Sequence, residues 1–425
     1  MFSLSEFYSQ VVSNQWTGDI TDTAGGILGS DLCQSYMDVL TNSETTVQHG
    51  DKVIIAADNS VNSVAWMLAL WHLGAAVVPV KSGMARHSIE SIAQDCNAKF
   101  LIENNQVAPL ENWQSLPKTF AYRTEARVTG VDLALLIYTS GSTGTPKGIM
   151  LTHQNVLTSL QSISQYLRIE KDDRILCLSP LSFDYGLYQA LFALYRPCRT
   201  LLYGSTFNPM AVIKLLAAER ITLLPLVPAM ASALARLLPV LKPDLSCLRA
   251  ITNTGGHLPD SVIHSWKRFH SELNVFAMYG LTECKRALYL EPEFWQQKPG
   301  SVGKPIPGLD AKVFIETEQG LIEANAGTCG VWGHGGVQCQ RVSITARARS
   351  TASAGKRVRS PSQPAGRVAS MPILAAMPST LEGSRRLHST LGTVNRSVSA
   401  WKRVARAHST SCSFWTSMSS STTPA

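Results

Sequence analysis

One stretch constrains this chain more than any other: LIYTSGSTGTPKG at residues 136–148. An apolar strand candidate runs into a loop of glycines and hydroxyls, and a lysine closes it. Glycines let a backbone approach an anion closely and turn its N–H groups inward. Ser and Thr hydroxyls donate further hydrogen bonds, and the lysine adds a point charge. Together these meet the needs of a polyphosphate. A flexible Ser/Gly linker shares the composition but needs neither a buried strand before it nor a Pro-Lys-Gly ending. The loop is not a P-loop, G-x-x-x-x-G-K-[ST] opening a helix, because Pro146 separates Thr145 from Lys147.

Short β-branched runs alternate with helical patterns on both sides of that loop. Residues 51–57, 75–80 and 99–102 read as strands, with helices at 62–73 and 86–95 between them. The rhythm returns after residue 150, with helices at 155–166, 185–194 and 209–219 and strands at 174–178, 200–203 and 222–226. Strands buried on both faces and joined by helices imply an α/β fold of parallel sheets wrapped by helices. Residues 64–80 are apolar over a length near the lower limit for a membrane span. They contain His72, Gly74 and Pro79, so the expectation is a buried helix turning into a buried strand, and no membrane span.

The formal net charge of +8 resides at one end. Of 38 Lys and Arg and 30 Asp and Glu, residues 327–425 hold 13 bases and one acid, Glu382, which leaves 25 bases against 29 acids in residues 1–326. The body is mildly acidic, and no nucleic-acid partner is expected for it. Past Gly327 the periodicity fades, serine makes up 18 of 99 residues, and no Asp follows Asp310. Such a composition buries too little apolar surface to offset chain entropy, so residues 327–425 read as a disordered tail and 1–326 as the ordered domain. Nine cysteines without a CxxC pair favour reduced thiols over disulfides or zinc. The start MFSLSEFYSQ lacks a signal-peptide pattern, and a cytoplasmic location is expected.

YTSGSTGTPKGIMLTH resembles the phosphate loop of the adenylate-forming superfamily: acyl-CoA synthetases, adenylation domains of nonribosomal peptide synthetases, and luciferases. Residues 253–258, NTGGHL, are similar to its Gly-Gly adenine turn, and residues 278–283, MYGLTE, to its Tyr-Gly-x-Thr-Glu motif. Residues 299–305, PGSVGKP, resemble the segment that follows, and HGDKVIIAADNS and LGAAVVPV look like its N-terminal strands. The resemblance spans residues 45–320 and implies an acetyl-CoA-synthetase-like large domain. The implied reaction joins a carboxylate to the α-phosphate of ATP, with Mg²⁺, and passes the acyl-AMP to a thiol of CoA or of a phosphopantetheine carrier protein.

The resemblance assigns the site residue by residue. Ser140, Gly141, Ser142, Thr143 and Gly144 cradle phosphates, and Gly255, Gly256, His257, Tyr279 and Gly280 hold the adenine. Tyr279 offers a face for stacking, and the glycines allow close approach opposite it. Thr139, Lys147, Thr282 and Glu283 carry catalysis, with Thr282 donating to the α-phosphate and Glu283 as a hard oxygen ligand for Mg²⁺. A Glu followed by Cys-Lys-Arg is also compatible with a solvated surface acid. Phe183 and Asp184 occupy the acyl-pocket region. Amino-acid-activating relatives often place such an Asp on the substrate ammonium, whereas some ligases of plain acids hold it structurally, so an amino acid and a fatty or aryl acid both stay open.

The family also implies a C-terminal domain, entered through a Gly-Glu-Leu strand and a Tyr-Arg-Thr-Gly-Asp motif and ending with a mobile lysine; residues 321–425 contain none of these. Two readings fit the tail. One is a basic arm, with Arg347-Ala348-Arg349 and Trp401-Lys402-Arg403, for nucleic acid or membrane. The other, favoured, is a shifted reading frame near Gly327. Reading 328–332, TCGVW, from each second base permits Leu-Val-Val-Tyr-Gly, and Arg341-Val342 permits Gly-Tyr. The expectation is an AMP-binding domain over 1–326, incomplete at its C-terminal end, whose adenylation is impaired. The alternative is a non-catalytic nucleotide- or acyl-binding pseudoenzyme.

Overall fold

The structure, a computed structural model, describes residues 3–42, 47–110, 127–139, 147–317, 320–323, 331–335 and 342–344. A six-stranded sheet comprises β2 (Lys52–Ala57), β3 (Ala76–Lys81), β4 (Phe100–Glu103), β5 (Gln106–Pro109), β6 (Leu133–Thr139) and β7 (Lys147–Thr152), in the order β5-β4-β2-β3-β6-β7. An eight-stranded sheet comprises β1 (Asp19–Asp22), β8 (Arg174–Cys177), β9 (Arg199–Leu202), β10 (Leu223–Leu226), β11 (Ala250–Asn253), β12 (Asn274–Tyr279), β13 (Leu288–Tyr289) and β14 (Lys304–Pro305). Its order is β1-β9-β8-β10-β11-β12-β13-β14. The helices are α1 (Ser5–Val12), α2 (Ser30–Thr41), α3 (Val61–His72), α4 (Arg86–Cys96), α5 (His153–Tyr166), α6 (Asp184–Tyr195), α7 (Pro209–Ala218), α8 (Pro228–Leu241) and α9 (Asp260–Phe269).

The expected α/β rhythm is present, with one correction: both sheets are mixed. β2, β3, β4 and β6 pair in parallel, as do β1, β9, β8, β10, β11 and β12, but β4–β5, β6–β7, β12–β13 and β13–β14 are antiparallel. For the first three of these pairs the reason is connection length. A parallel pair needs a crossover of a dozen or more residues, and only residues 140–146 separate β6 from β7. β6 and β7 therefore form a hairpin at the sheet edge, with residues 140–146 between them. A third, antiparallel sheet joins β15 (Asp310–Thr317), β16 (Gly320–Glu323), β17 (Val331–Gly335) and β18 (Val342–Ile344) in the order β16-β15-β17-β18. Two of its strands lie past the boundary placed at Ala326; the rest of the expected tail, residues 327–330, 336–341 and 345–425, falls outside the described residues.

α3 explains the 64–80 stretch. Every residue from Val61 to Trp71 except Asn62 is buried, because the helix packs in the core that joins the two large sheets. Trp71 donates its indole N–H to the Ala134 carbonyl at 2.9 Å, which fastens α3 to β6. Among the described residues no helix is long and apolar enough to cross a membrane. The N-terminus of α5 is closed by a reciprocal cap: Asn155 N–H donates to the Thr152 hydroxyl at 3.2 Å, and Thr152 N–H to the Asn155 side chain at 3.0 Å.

The two sheets are joined at their C-terminal edges by Asn59, just past β2. Its amide donates to the carbonyls of Ser179 and Tyr203 at 3.1 Å each and of Cys177 at 3.4 Å, and its oxygen accepts from Leu181 N–H at 2.9 Å. One side chain thus satisfies backbone groups past the ends of β8 and β9, where the chain leaves the sheet ladder.

Candidate functional site

Ligands of open α/β sheets bind beyond the carboxyl ends of the strands. There β6 and β7 bring Thr139 directly opposite Lys147 in register, both half-buried, so the lysine and the threonine flank residues 140–146. Ser140, Gly141, Ser142, Thr143 and Gly144 lie outside the described residues.

The other two motifs leave adjacent parallel strands. Asn253 at the end of β11 pairs in register with Ala277 near the end of β12. Past Asn253, Gly255 adopts φ +77, a left-handed conformation that favours glycine. Gly255, Gly256 and His257 are exposed, and Gly256 lies against Pro228 at the start of α8. Asn253 holds the turn by donating to the Gly256 carbonyl at 2.9 Å, while its Oδ1 is buried without a hydrogen-bond partner. Behind the turn lies a small open cleft lined by Asn253, Gly256, His257, Met278, Trp295 and Ser301 among others. Asn253 is thus a candidate binding residue; in the sequence it stands only as the first letter of the Gly-Gly motif, with nothing to set it apart.

β12 ends in Tyr279, half-buried, whose hydroxyl is pushed up to about 12 by burial. The chain then reverses into β13, with Ala287 N–H donating to the Tyr279 carbonyl at 2.8 Å. Gly280 is required: a Cβ there would lie 1.7 Å from the Lys285 carbonyl oxygen. Leu281, Thr282 and Glu283 are half-buried on this turn. Glu283 takes part in no ion pair among the described residues, which suits a carboxylate that holds a cation. Cys284, Lys285 and Arg286, which follow it, are buried.

Asp184 opens α6 and is buried, whereas Phe183 before it is 41% exposed. Asp184 already faces a cation. Its Oδ2 lies 3.7 Å from Lys285 Nζ, which also donates to the Thr282 carbonyl at 2.9 Å. Burial pulls the Lys285 ammonium below the ordinary lysine range, against the opposing pull of Asp184. Next along α6, the Tyr185 hydroxyl bonds the Thr252 backbone carbonyl at 3.0 Å and shares a 2.8 Å hydrogen bond with its side chain. Asp184, the strand before the Gly-Gly turn and the Thr-Glu turn are thereby tied together through α6, β11 and the β12–β13 connection.

The family model described as AMP-binding enzyme matches residues 38–335, well over half of the chain. The chain belongs to this family. The AMP-binding match runs past Ala326 into β17. Among curated relatives, the anguibactin system regulator of Vibrio anguillarum is 27% identical over 313 residues, covering 69% of this chain and 29% of the relative. The 2-succinylbenzoate–CoA ligase of Bacillus pumilus is 29% identical over 288 residues, covering 64% of this chain and 57% of the ligase. This AMP-binding chain thus spans between about a third and just over half the length of those relatives. Its fold matches VinN with a TM-score of 0.67 at 24% identity, over 83% of this chain and 92% of VinN. It also matches the N-terminal domain of FACL13 from Mycobacterium tuberculosis, with a TM-score of 0.68 at 21% identity, over 80% and 90% of the two chains.

Proposed function

We propose that this AMP-binding enzyme activates a carboxylic acid with ATP. A carboxylate oxygen attacks the α-phosphorus, the bond to the β,γ-phosphates breaks, and acyl-AMP and pyrophosphate result. The thiol of CoA, or of a phosphopantetheine on a carrier protein, then displaces AMP as the acyl thioester forms. The observation that carries this reading is the departure of the Gly-Gly turn and the Thr-Glu turn from the ends of β11 and β12, two adjacent parallel strands. Kinship with a 2-succinylbenzoate–CoA ligase supports the reaction class.

Each group has a physical task. Tyr279 stacks on the purine, and the free Asn253 oxygen accepts from its amino group. Ser140, Gly141, Ser142, Thr143 and Gly144 wrap the phosphates. Thr139 and Lys147 stand at the two ends of that loop, where an ammonium stabilises the charge that develops on the departing pyrophosphate. The Thr282 hydroxyl donates to the α-phosphate and holds it in line for the acid. Glu283 would hold Mg²⁺, which neutralises phosphate charge. Residues 327–425 supply no matching catalytic partner in this reading, and slow turnover is expected.

The test is acid-dependent ATP–pyrophosphate exchange by the full chain over amino, alkyl and aryl acids, alongside ATP titration by calorimetry. Exchange with one class of acid establishes the reaction, and Glu283→Gln should lower it by about 100-fold or more. ATP binding without exchange would mark a binding protein instead. Absence of ATP binding would refute the reading.

A further inference from the structure

The turn that bears Thr282 and Glu283 continues into a buried pair of cations, Lys285 at 4% and Arg286 at 3% exposure. Lys285 is answered by Asp184. Arg286 is not. Its guanidinium carbon lies 4.8 Å from the ring centroid of Tyr185 and 5.7 Å from that of Tyr188. Among the described residues it takes part in no ion pair, and its Nε is buried without a hydrogen-bond partner.

Two buried cations therefore stand against one buried carboxylate. Aromatic faces offset part of a guanidinium's lost hydration. They leave its buried Nε–H unanswered, and a planar guanidinium binds a carboxylate through two parallel hydrogen bonds. A buried charge without a counter-ion is unfavourable unless something of opposite sign arrives. Asp184, meanwhile, is already engaged by Lys285 and offers a substrate ammonium little. The local charge balance favours an incoming anion over an incoming cation.

We propose that Arg286 determines acid specificity, and that the acid activated here is a dicarboxylate. One carboxylate meets ATP, and the guanidinium receives the second. This rests on the carboxylate-ligase reading and names the substrate class within it. The placement suits that role: Arg286 is three residues past Glu283, on the same turn as the proposed phosphate-binding groups. The Tyr185 ring that backs it is fixed by hydrogen bonds to Thr252, so the guanidinium is held before the acid arrives. Cys284-Lys285-Arg286 gives no sign of this in sequence, because adjacent cations ordinarily mark a solvated surface.

The experiment compares matched acids in ATP–pyrophosphate exchange by the full chain: succinate with butyrate, glutarate with pentanoate, phthalate with benzoate. Each diacid should exceed its monoacid by about 100-fold or more in kcat/KM. Arg286→Met should erase or reverse that ratio while the KM for ATP stays unchanged, and Arg286→Lys should retain only part of it. Equal rates for diacid and monoacid, or a ratio unmoved in folded Arg286→Met, would overturn the assignment. Should the Met variant fail to fold, the Lys variant decides, since an unchanged ratio there overturns it as well. If ATP binds but no acid supports exchange, calorimetry of succinate and butyrate with ATP present takes over as the test. Tighter succinate binding that weakens in the variants supports the proposal, and equal binding removes it. Failure to bind ATP at all would instead sink the ligase reading on which the proposal stands.

Discussion

Replacing Asp184 with asparagine tests whether this acid serves Lys285 or waits for a substrate ammonium. The side chains of Lys285 and Asp184 are 1% and 12% exposed, so solvent cannot take the place of the missing carboxylate. Removing one partner of a buried ion pair costs about 3–5 kcal/mol. The lysine keeps its hydrogen bond to the Thr282 carbonyl, which places the expectation near 3 kcal/mol at pH 7. The pH dependence has a definite sign. Burial already holds the Lys285 pKa below that of an unfolded lysine, and Asp184 opposes the shift, so loss of the carboxylate lets it fall further. Between the folded value and the unfolded one near 10.5, the unfolded chain binds more protons, and stability rises with pH. The variant should therefore recover part of its loss on going from pH 7 to pH 9.5, at no more than about 1.4 kcal/mol per pH unit. Urea unfolding followed by tryptophan fluorescence at several pH values measures both quantities. A double variant, Asp184→Leu with Lys285→Met, should regain most of the stability, since an apolar pair removes both charges together. The reasoning is refuted if Asp184→Asn stays within about 0.5 kcal/mol of the parent at pH 7 and shows no steeper pH dependence. Asp184 would then be free for a ligand.

Two further outcomes follow from buried polar contacts. Asn59→Ala removes its hydrogen bonds to the carbonyls of Ser179 and Tyr203 and to the Leu181 N–H at the joint between the sheets and should cost about 2–4 kcal/mol in urea unfolding; a shift in midpoint equivalent to less than about 0.5 kcal/mol would show that water replaces the side chain. His153 is fully buried and accepts from Leu4 N–H through Nδ1 at 3.0 Å; burial holds its pKa down to about 4, with Asp132 opposing and His49 assisting. Because the folded value lies below the unfolded 6.5, the unfolded chain takes the proton first, and stability falls as pH drops from 6.5 to 4, by about 3 kcal/mol in all. Stability curves against pH for the parent and for His153→Gln should differ by that slope, and parallel curves would contradict it.

Much of the layered architecture was legible because it is written in short-range periodicity. The expected helix at 62–73 is α3 at Val61–His72, and the expected strand at 222–226 is β10 at Leu223–Leu226. The hairpins were not legible. Nothing in the apolar pattern of β7 or β13 distinguishes a parallel from an antiparallel neighbour; connection length does, and it has to be read together with strand ends that carry an uncertainty of a few residues. The site was legible wherever backbone chemistry demands a residue type. Gly280 must be glycine because the Lys285 carbonyl occupies the space of a side chain, and Gly255 because its φ is left-handed.

Side chains whose meaning depends on partners far along the chain carry no such signal. Asn59 is one polar residue in a loop until Ser179 and Tyr203, just past β8 and β9, arrive 120 and 144 residues later. Lys285 and Arg286 are a sharper case. Two adjacent cations after a glutamate look like a water-facing turn, since burial of either alone is unfavourable. Their burial is tolerated because α6 brings Asp184 to one and a pair of tyrosine rings to the other. That partition is unequal: the first cation receives a full counter-charge and the second only the faces of aromatic rings. A fold that needed these cations only for packing could have used apolar residues of similar size at no loss of stability. The imbalance therefore points outward, to a charge that the described residues do not supply, and it does so at the turn that also carries Thr282 and Glu283.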